Sequence, residues 1–247
     1  MAAGSTRQLR SHVFGGRCRA SLPPPLRFWK ENRMTKFESE PVGAPRPLYA
    51  HVARRVSALH RGYSQGVSSS VSALARLRRG VGQEPGAELD LIELTFANLE
   101  TVSSGLPDEP TLNERAAYTV ICLFALHQQS RPERSMHRAG YSFGRSAREL
   151  SRANSAPGSS ELDEAVTRRF VALGTAESWA ETVHHARGLI QQFRAADIPL
   201  DYGRFAEDLV ALQNPATAGA VRTVWGRDFY LAPRVSAAPD DDLPARP

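Results

Sequence analysis

Residues 116–127 read AAYTVICLFALH, twelve positions without a single Asp, Glu, Lys or Arg. The apolar residues go round the whole helix instead of lining one stripe. A helix with no polar face has to be covered on every side. Thr111 and Glu114, three apart just upstream, form a capping box that sets its start. The strongly apolar stretch 116–126 is too short for a bilayer, which takes ~20 residues. The segment therefore predicts the central helix of a bundle, and the helices needed to cover it make the fold class all-α.

Working outward, the pattern stays helical. On the N-terminal side, Leu89–Leu99 reads as a short acidic amphipathic helix. Before it, Val67, Val71, Leu74 and Leu77 form a stripe closed by Gly80; Leu48, Val52, Val56 and Leu59 form another, opened by Pro47 and ended by Gly62. On the C-terminal side, Gln128–Gly140 is a polar loop with Pro132, basic through Arg131, Arg134 and Arg138 against Glu133.

Helical stretches follow at Ser142–Ala153, at Leu162, Val166, Phe170 and Leu173 behind a Ser160/Asp163 cap, and at Trp179–Phe193 behind Ser178 and Glu181. Phe205, Leu209 and Leu212 mark a short helix after Asp201, and Thr217–Leu231 the last, with Val221, Val224, Trp225 and Phe229 apolar. There is no strand pattern and no internal repeat. The organisation is two small helical bundles, 47–130 and 141–232, joined by a basic linker loop at 131–140. A leader (1–46) and a tail (233–247) are too polar or proline-rich to pack and are expected to be disordered. Lys30-Glu31 can be encoded as a purine-rich ribosome-binding sequence ahead of Met34, so the native start is expected there, with residues 1–33 not translated natively.

The net charge of +5 is a property of the leader. Residues 1–34 carry seven basic residues and one acid, while the remaining 213 carry 24 basic and 25 acidic ones. Within that near-neutral body the charge is segregated. Residues 50–82 hold six arginines and no acid; residues 83–114 hold eight acids and no base. The arginines gather in ALARLRRG, residues 73–80, as Arg76, Arg78 and Arg79. Solvated helices usually alternate signs. Segregation creates a local field, and a phosphate backbone is its commonest partner, though a solvated helix end would show the same string. By helical phase Arg76 and Arg79 point outward and Arg78 lies beneath the stripe at the helix end.

Catalytic chemistry is not supported. There is no GxxxxGK[ST], HExxH, CxxC or GxSxG string. His184 and His185 are adjacent, so on a helix they point about 100° apart and cannot share a metal unaided. His127 and His137 flank the linker and read first as surface loop histidines. Asp90 and Glu93 read first as a solvated helix face. Cys18 and Cys122 form no disulfide framework, and Cys122 reads as a small core residue in a reducing compartment, the cytoplasm. No cofactor and no metal are implied. What remains is arginine: after Met34 there are 23 Arg against one Lys. Guanidinium forks match phosphate oxygens and stack on bases.

Six strings in series carry a family resemblance: ALARLRRG, then LFALH, YSFGRSAREL, TRRFVALG, IPLDYGRFAEDL and VRTVWGRDFY. Together, over about Leu48–Tyr230, the chain resembles CasB, the small subunit of the type I-E CRISPR surveillance complex Cascade. The resemblance implies an all-helical, non-catalytic protein. It also implies a second copy packed head to tail, contacts to the Cascade backbone and large subunits, and a basic surface for guide RNA, target DNA and the displaced strand. By resemblance Arg76, Arg78 and Arg79 fall on the family's first basic cluster, Arg145 on its glycine-arginine turn, Arg168 and Arg169 on its paired arginines and Arg222 and Arg227 on its last helix. With Arg148, on the same helix as Arg145, these are the candidate nucleic-acid-binding residues, and the resemblance does not say which touch phosphate and which brace the fold. Trp225, Phe229 and Phe170 are expected to pack in the core and not to stack on bases. The acidic segment is expected to face a basic subunit or to repel nucleic acid from the wrong side. The competing class is a helix-turn-helix transcription regulator, for which no segment supplies a clean recognition unit.

Overall fold

The computed structural model describes residues 46–99, 109–156, 158–159 and 161–231. The expectations for the leader, the tail, the start at Met34 and the cap at Ser160 lie outside them. Among the described residues the chain forms nine α-helices and no strand: α1 (Pro47–Ser64), α2 (Ser68–Arg79), α3 (Leu89–Thr95), α4 (Leu112–His127), α5 (Phe143–Asn154), α6 (Glu164–Thr175), α7 (Trp179–Ala195), α8 (Tyr202–Leu212) and α9 (Pro215–Gly226), with a π-helical turn over Arg227–Leu231. The all-α expectation is met.

Local chemistry starts the helices. Thr111 and Glu114 form the full capping box of α4, with Glu114 N donating to Thr111 Oγ1 at 3.2 Å and Thr111 N to Glu114 Oε2 at 2.8 Å. Ser142, Asp163, Ser178, Asp201 and Asn214 cap α5 to α9 through their side chains. Two boundaries move. α1 runs past Gly62, because that glycine serves a close approach: a Cβ there would stand 2.8 Å from Ser70 Cβ on α2. α9 begins two residues before Thr217, with Pro215 in its first turn.

α4 is buried almost throughout, from Ala116 to Ala125. α1, α2, α3, α7 and α8 all pack on it. α5 packs on α6, α7, α9 and the π turn, around Phe143, Phe170, Phe193, Phe205, Trp225 and Phe229. Trp225, Phe229 and Phe170 are buried as expected; Trp225 stacks on Phe143 with centroids 5.2 Å apart, and Phe170 on Phe229 at 4.4 Å. One continuous cluster of buried apolar residues runs from Leu48 to Phe229. The linker separates two groups of helices in sequence, and the contacts of α7 and α8 with α4 join them in space.

Two expectations are corrected. Val67 and Val71 are exposed (42 % and 43 %). The buried residues of α2 are Ala73, Leu74 and Leu77, all in its C-terminal half; the neighbouring helices α1, α3 and α4 leave its first turn largely exposed. His127 and His137 are not surface loop residues. His127 is fully buried, with Nδ1 2.9 Å from the Tyr202 hydroxyl, and His137 Nδ1 accepts from Tyr202 N at 3.2 Å. The linker is tied down around them: Met136 N donates to Gln128 Oε1 at 3.0 Å, Leu200 N to Met136 O at 3.0 Å and Gly140 N to Asp201 Oδ2 at 2.9 Å. A chain that returns beside α8 carries its histidines inward.

A Cβ at Gly144 on α5 would overlap the backbone carbonyl of Trp225 and stand 3.0 Å from its Cα. Backbone cannot move aside as a side chain can, so Gly144→Ala should cost on the order of 1–3 kcal/mol. Gly174→Ala, a helical site with open space around it, should be neutral or stabilising. Thermal melts of the two variants test this, and equal melting temperatures would refute the close approach.

Burial pushes the Asp208 carboxyl up to about 6, while Trp225 Nε1 donates to its Oδ2 at 2.7 Å. The folded state then holds a proton that the unfolded chain, at 3.8, has already released. Stability from this group is therefore highest near pH 4 and is lost as pH rises towards 6. Burial pushes His127 down to about 3, so its effect runs the other way, with stability falling as pH drops below 6.5. Asp208→Asn keeps an acceptor for Trp225. It should raise stability at pH 7 by roughly 1–3 kcal/mol and bring no gain at pH 4; urea titrations at the two pH values read the difference.

Candidate nucleic-acid interface

The nine arginines singled out in the sequence stand on α2, α5, α6, α9 and the π turn. α2 packs against α1, α3 and α4, whereas α5 packs against α6, α7, α9 and the π turn. The knot and the other six therefore occupy different sets of helices.

On α2 the last turn carries Arg76, Arg78 and Arg79 and no acid. Arg79 is exposed and Arg78 half-buried, and neither side chain has a hydrogen bond or ion pair among the described residues. Arg76 differs. Its Nη1 donates to Asp90 Oδ2 of α3 at 2.7 Å. The sequence shows no carboxylate near the knot; the fold brings one from fourteen residues away. Arg55, also from the basic run, donates to Ala97 O at 2.8 Å and so holds the chain just after α3.

The remaining six divide by what they already hold. Arg148 Nη1 donates to Phe229 O at 2.5 Å and ties α5 to the π turn. Arg222 Nε donates to Gly174 O at 2.6 Å, satisfying a carbonyl at the end of α6. Arg145 lies 3.9 Å from the centroid of the Tyr141 ring and 3.3 Å from Glu149 Oε1. Arg168 and Arg169 are exposed, with only a 3.5 Å pair to Glu164 and a 3.2 Å bond to Gln192. Arg227 is exposed and has no side-chain partner among the described residues. The cations open to a ligand are thus Arg78, Arg79, Arg168, Arg169 and Arg227, while Arg148 and Arg222 brace the fold.

The linker's own arginines divide in the same way. Arg131 pairs with Asp197 and donates to Arg194 O at 3.0 Å; Arg138 bonds the Tyr141 hydroxyl at 3.1 Å; Arg134 is exposed. Sequence reading passed over Arg187. It is exposed on α7 beside His184, at a cavity of about 170 Å³ lined also by Gly82, Glu84 and Trp179. The spacing of 184 and 187 on one helical face was the available signal.

Among the described residues no three His, Cys, Asp or Glu side chains gather as a metal site. His185 Nε2 lies 3.5 Å from Glu181, an ordinary pair one turn away. Cys122 is fully buried and burial raises its thiol well above the usual range, leaving it unreactive. No described helix is long and apolar enough to cross a membrane. The arrangement offers separate guanidinium groups on a helical scaffold, suited to holding anions without forming a closed pocket.

The family described as CRISPR-associated protein Cse2 matches residues 73–230. The match opens at the first residue of ALARLRRG and closes on Tyr230, the last of VRTVWGRDFY. The chain belongs to the Cse2 family. The resemblance to CasB is thereby borne out, over a span that leaves α1 outside the family match. Among solved structures, the crystal structure of CasB from Thermobifida fusca is similar, at 33 % identity and a TM-score of 0.62, covering 74 % of this chain and 97 % of that one. No curated protein matches.

Arg148→Ala should cost about 1–2 kcal/mol, because it removes a hydrogen bond from a carbonyl beside the buried Phe229. Arg79→Ala should stay within roughly 0.5 kcal/mol of the parent protein. Chemical denaturation of the two variants distinguishes a brace from a free cation, and equal losses would refute the division.

Proposed function

We propose that the protein is the non-catalytic small subunit of a type I-E CRISPR Cascade complex in the cytoplasm. In this reading it stabilises the guide RNA–target DNA hybrid and the displaced strand by holding backbone phosphates without reading sequence. Two copies pack head to tail against the backbone and large subunits. The observation that carries the reading is a pair of guanidinium groups with no partner among the described residues, Arg78 and Arg79, at the start of the Cse2 match in a near-neutral body. Arg168, Arg169 and Arg227 supply further open cations on the other set of helices.

Opening a duplex against a guide is nearly balanced in base-pair energy, so backbone contacts to the strands tip it. Each phosphate contact releases counterions and adds a salt-dependent increment. Phosphate contacts position a strand and carry no sequence information, so arginines on a rigid helical frame suffice and no catalytic group is needed.

The test is the assembled complex carrying Arg76→Ala, Arg78→Ala and Arg79→Ala together. The small subunit should remain folded and incorporated. Affinity for a matched DNA target should fall at least several-fold, and the slope of log affinity against log salt should shrink by roughly 0.9 for each phosphate no longer held. Unchanged target affinity in a fully assembled variant would remove the knot from the mechanism. Co-purification of the parent protein with a guide RNA and the other subunits tests the assembly itself.

A further inference from the structure

The segregated charges of the sequence meet in the fold. α3 begins ten residues after α2 ends and lies back against it, bringing Asp90 to Arg76. The contact is monodentate: Nη1 meets Oδ2 at 2.7 Å, and Arg76 Nε has no partner. A two-pronged pair would be tighter. Both side chains remain substantially exposed, 37 % and 45 %, so the pair can exchange. The other acids nearby do different work. Glu84 pairs with Arg115 at 3.1 Å, and Glu93 is exposed on α3 without an ion pair among the described residues. Arg78 and Arg79, by contrast, stand without partners among the described residues.

From this we infer that Asp90 is an internal stand-in for phosphate. Its carboxylate occupies the Arg76 guanidinium in the free protein, and a nucleic-acid strand must displace it before all three arginines of the knot can act. The inference rests on the strand-holding reading above and adds an affinity-setting residue to it. A carboxylate oxygen and a phosphate oxygen accept the same charge-assisted hydrogen bond, so one substitutes for the other. Exposed pairs are held weakly, so a strand that engages Arg78 and Arg79 can take Arg76 as well. Asp90 thereby lowers affinity for lone or short anions and leaves long strands favoured.

The experiment uses the full chain and a fluorescein-labelled single-stranded oligonucleotide, read by anisotropy at roughly 50 mM and 200 mM salt. Asp90→Asn should tighten binding about 2–5-fold at the lower salt. Glu93→Gln, which removes the same charge from the same helix, should give less than half that gain. In the Arg76→Gln background, Asp90→Asn should give no more than the gain of Glu93→Gln, since the coupling beyond overall charge belongs to the pair. Equal gains from Asp90→Asn and Glu93→Gln would reduce the effect to overall charge and overturn the inference. So would no gain from a well-folded Asp90→Asn protein. A collapse of its melting transition would make the pair a brace of α3 and overturn the inference as well. If the triple arginine variant binds the oligonucleotide as well as the parent, the strand-holding reading falls and this inference with it. If that variant loses binding while Asp90→Asn moves nothing, the inference alone falls.

Discussion

A helix that is apolar all round must be enclosed, and that constraint on α4 governs the arrangement of everything else. Two or three neighbours from its own half of the chain cannot close the circle. α1, α2 and α3 cover part of it, and α7 and α8 arrive from beyond the linker to cover the rest. α8 is the most telling of these. It packs on α1 and α4 and also on α9. Its N-terminus brings Tyr202 onto Phe124, edge to face with centroids 5.3 Å apart. The burial of one helix thus dictates where the second group of helices sits, and with them the arginines of α5, α6 and α9.

Enclosure has a polar consequence. The chain must cross from α4 to α5 along the edge of a dry core, and its backbone groups need partners there. Gln128, fully buried, supplies several, accepting from Met136 N and donating to Arg134 O at 2.8 Å. A single bridge between His137 and Leu200 and the Asp201 side chain complete the seam. His127 enters this seam neutral, since burial disfavours its charged form. His127 Nε2 has no hydrogen-bond partner among the described residues, while the bonds of Gln128, His137 and Asp201 specify register as well as contributing stability.

The fold was legible wherever the signal was local. The capping box at Thr111, the caps at Asp163 and Ser178, and the enclosure of the apolar stretch from Ala116 onward follow from residues within a turn or two, and all stand in the structure. The failures share one cause. Val67 and Val71 extend the stripe of α2 in sequence, yet a stripe is buried only as far as its neighbour reaches. Gly62 resembles a stop, and only the crossing of α1 and α2 shows it to be a close approach. His127 and His137 look like loop histidines until α8 folds against them. Each depends on an element outside its own helix, which periodicity cannot supply.

The arginines carry the same lesson into function. Charge read along the chain described Arg76, Arg78 and Arg79 as one cluster free of acids. In space they are three different groups: one held by Asp90, one half-covered at the helix end, one open to solvent. The same division separates Arg148 and Arg222, whose guanidiniums complete backbone carbonyls, from Arg168, Arg169 and Arg227, whose do not. A guanidinium already satisfied by the fold must first be released before it can bind a strand, and releasing Arg148 or Arg222 would leave a carbonyl without its donor. A carboxylate that lets go of Arg76 returns to water at little cost. What an arginine already holds therefore decides whether it can serve an outside anion freely, conditionally or not at all, and Arg76 is the conditional case.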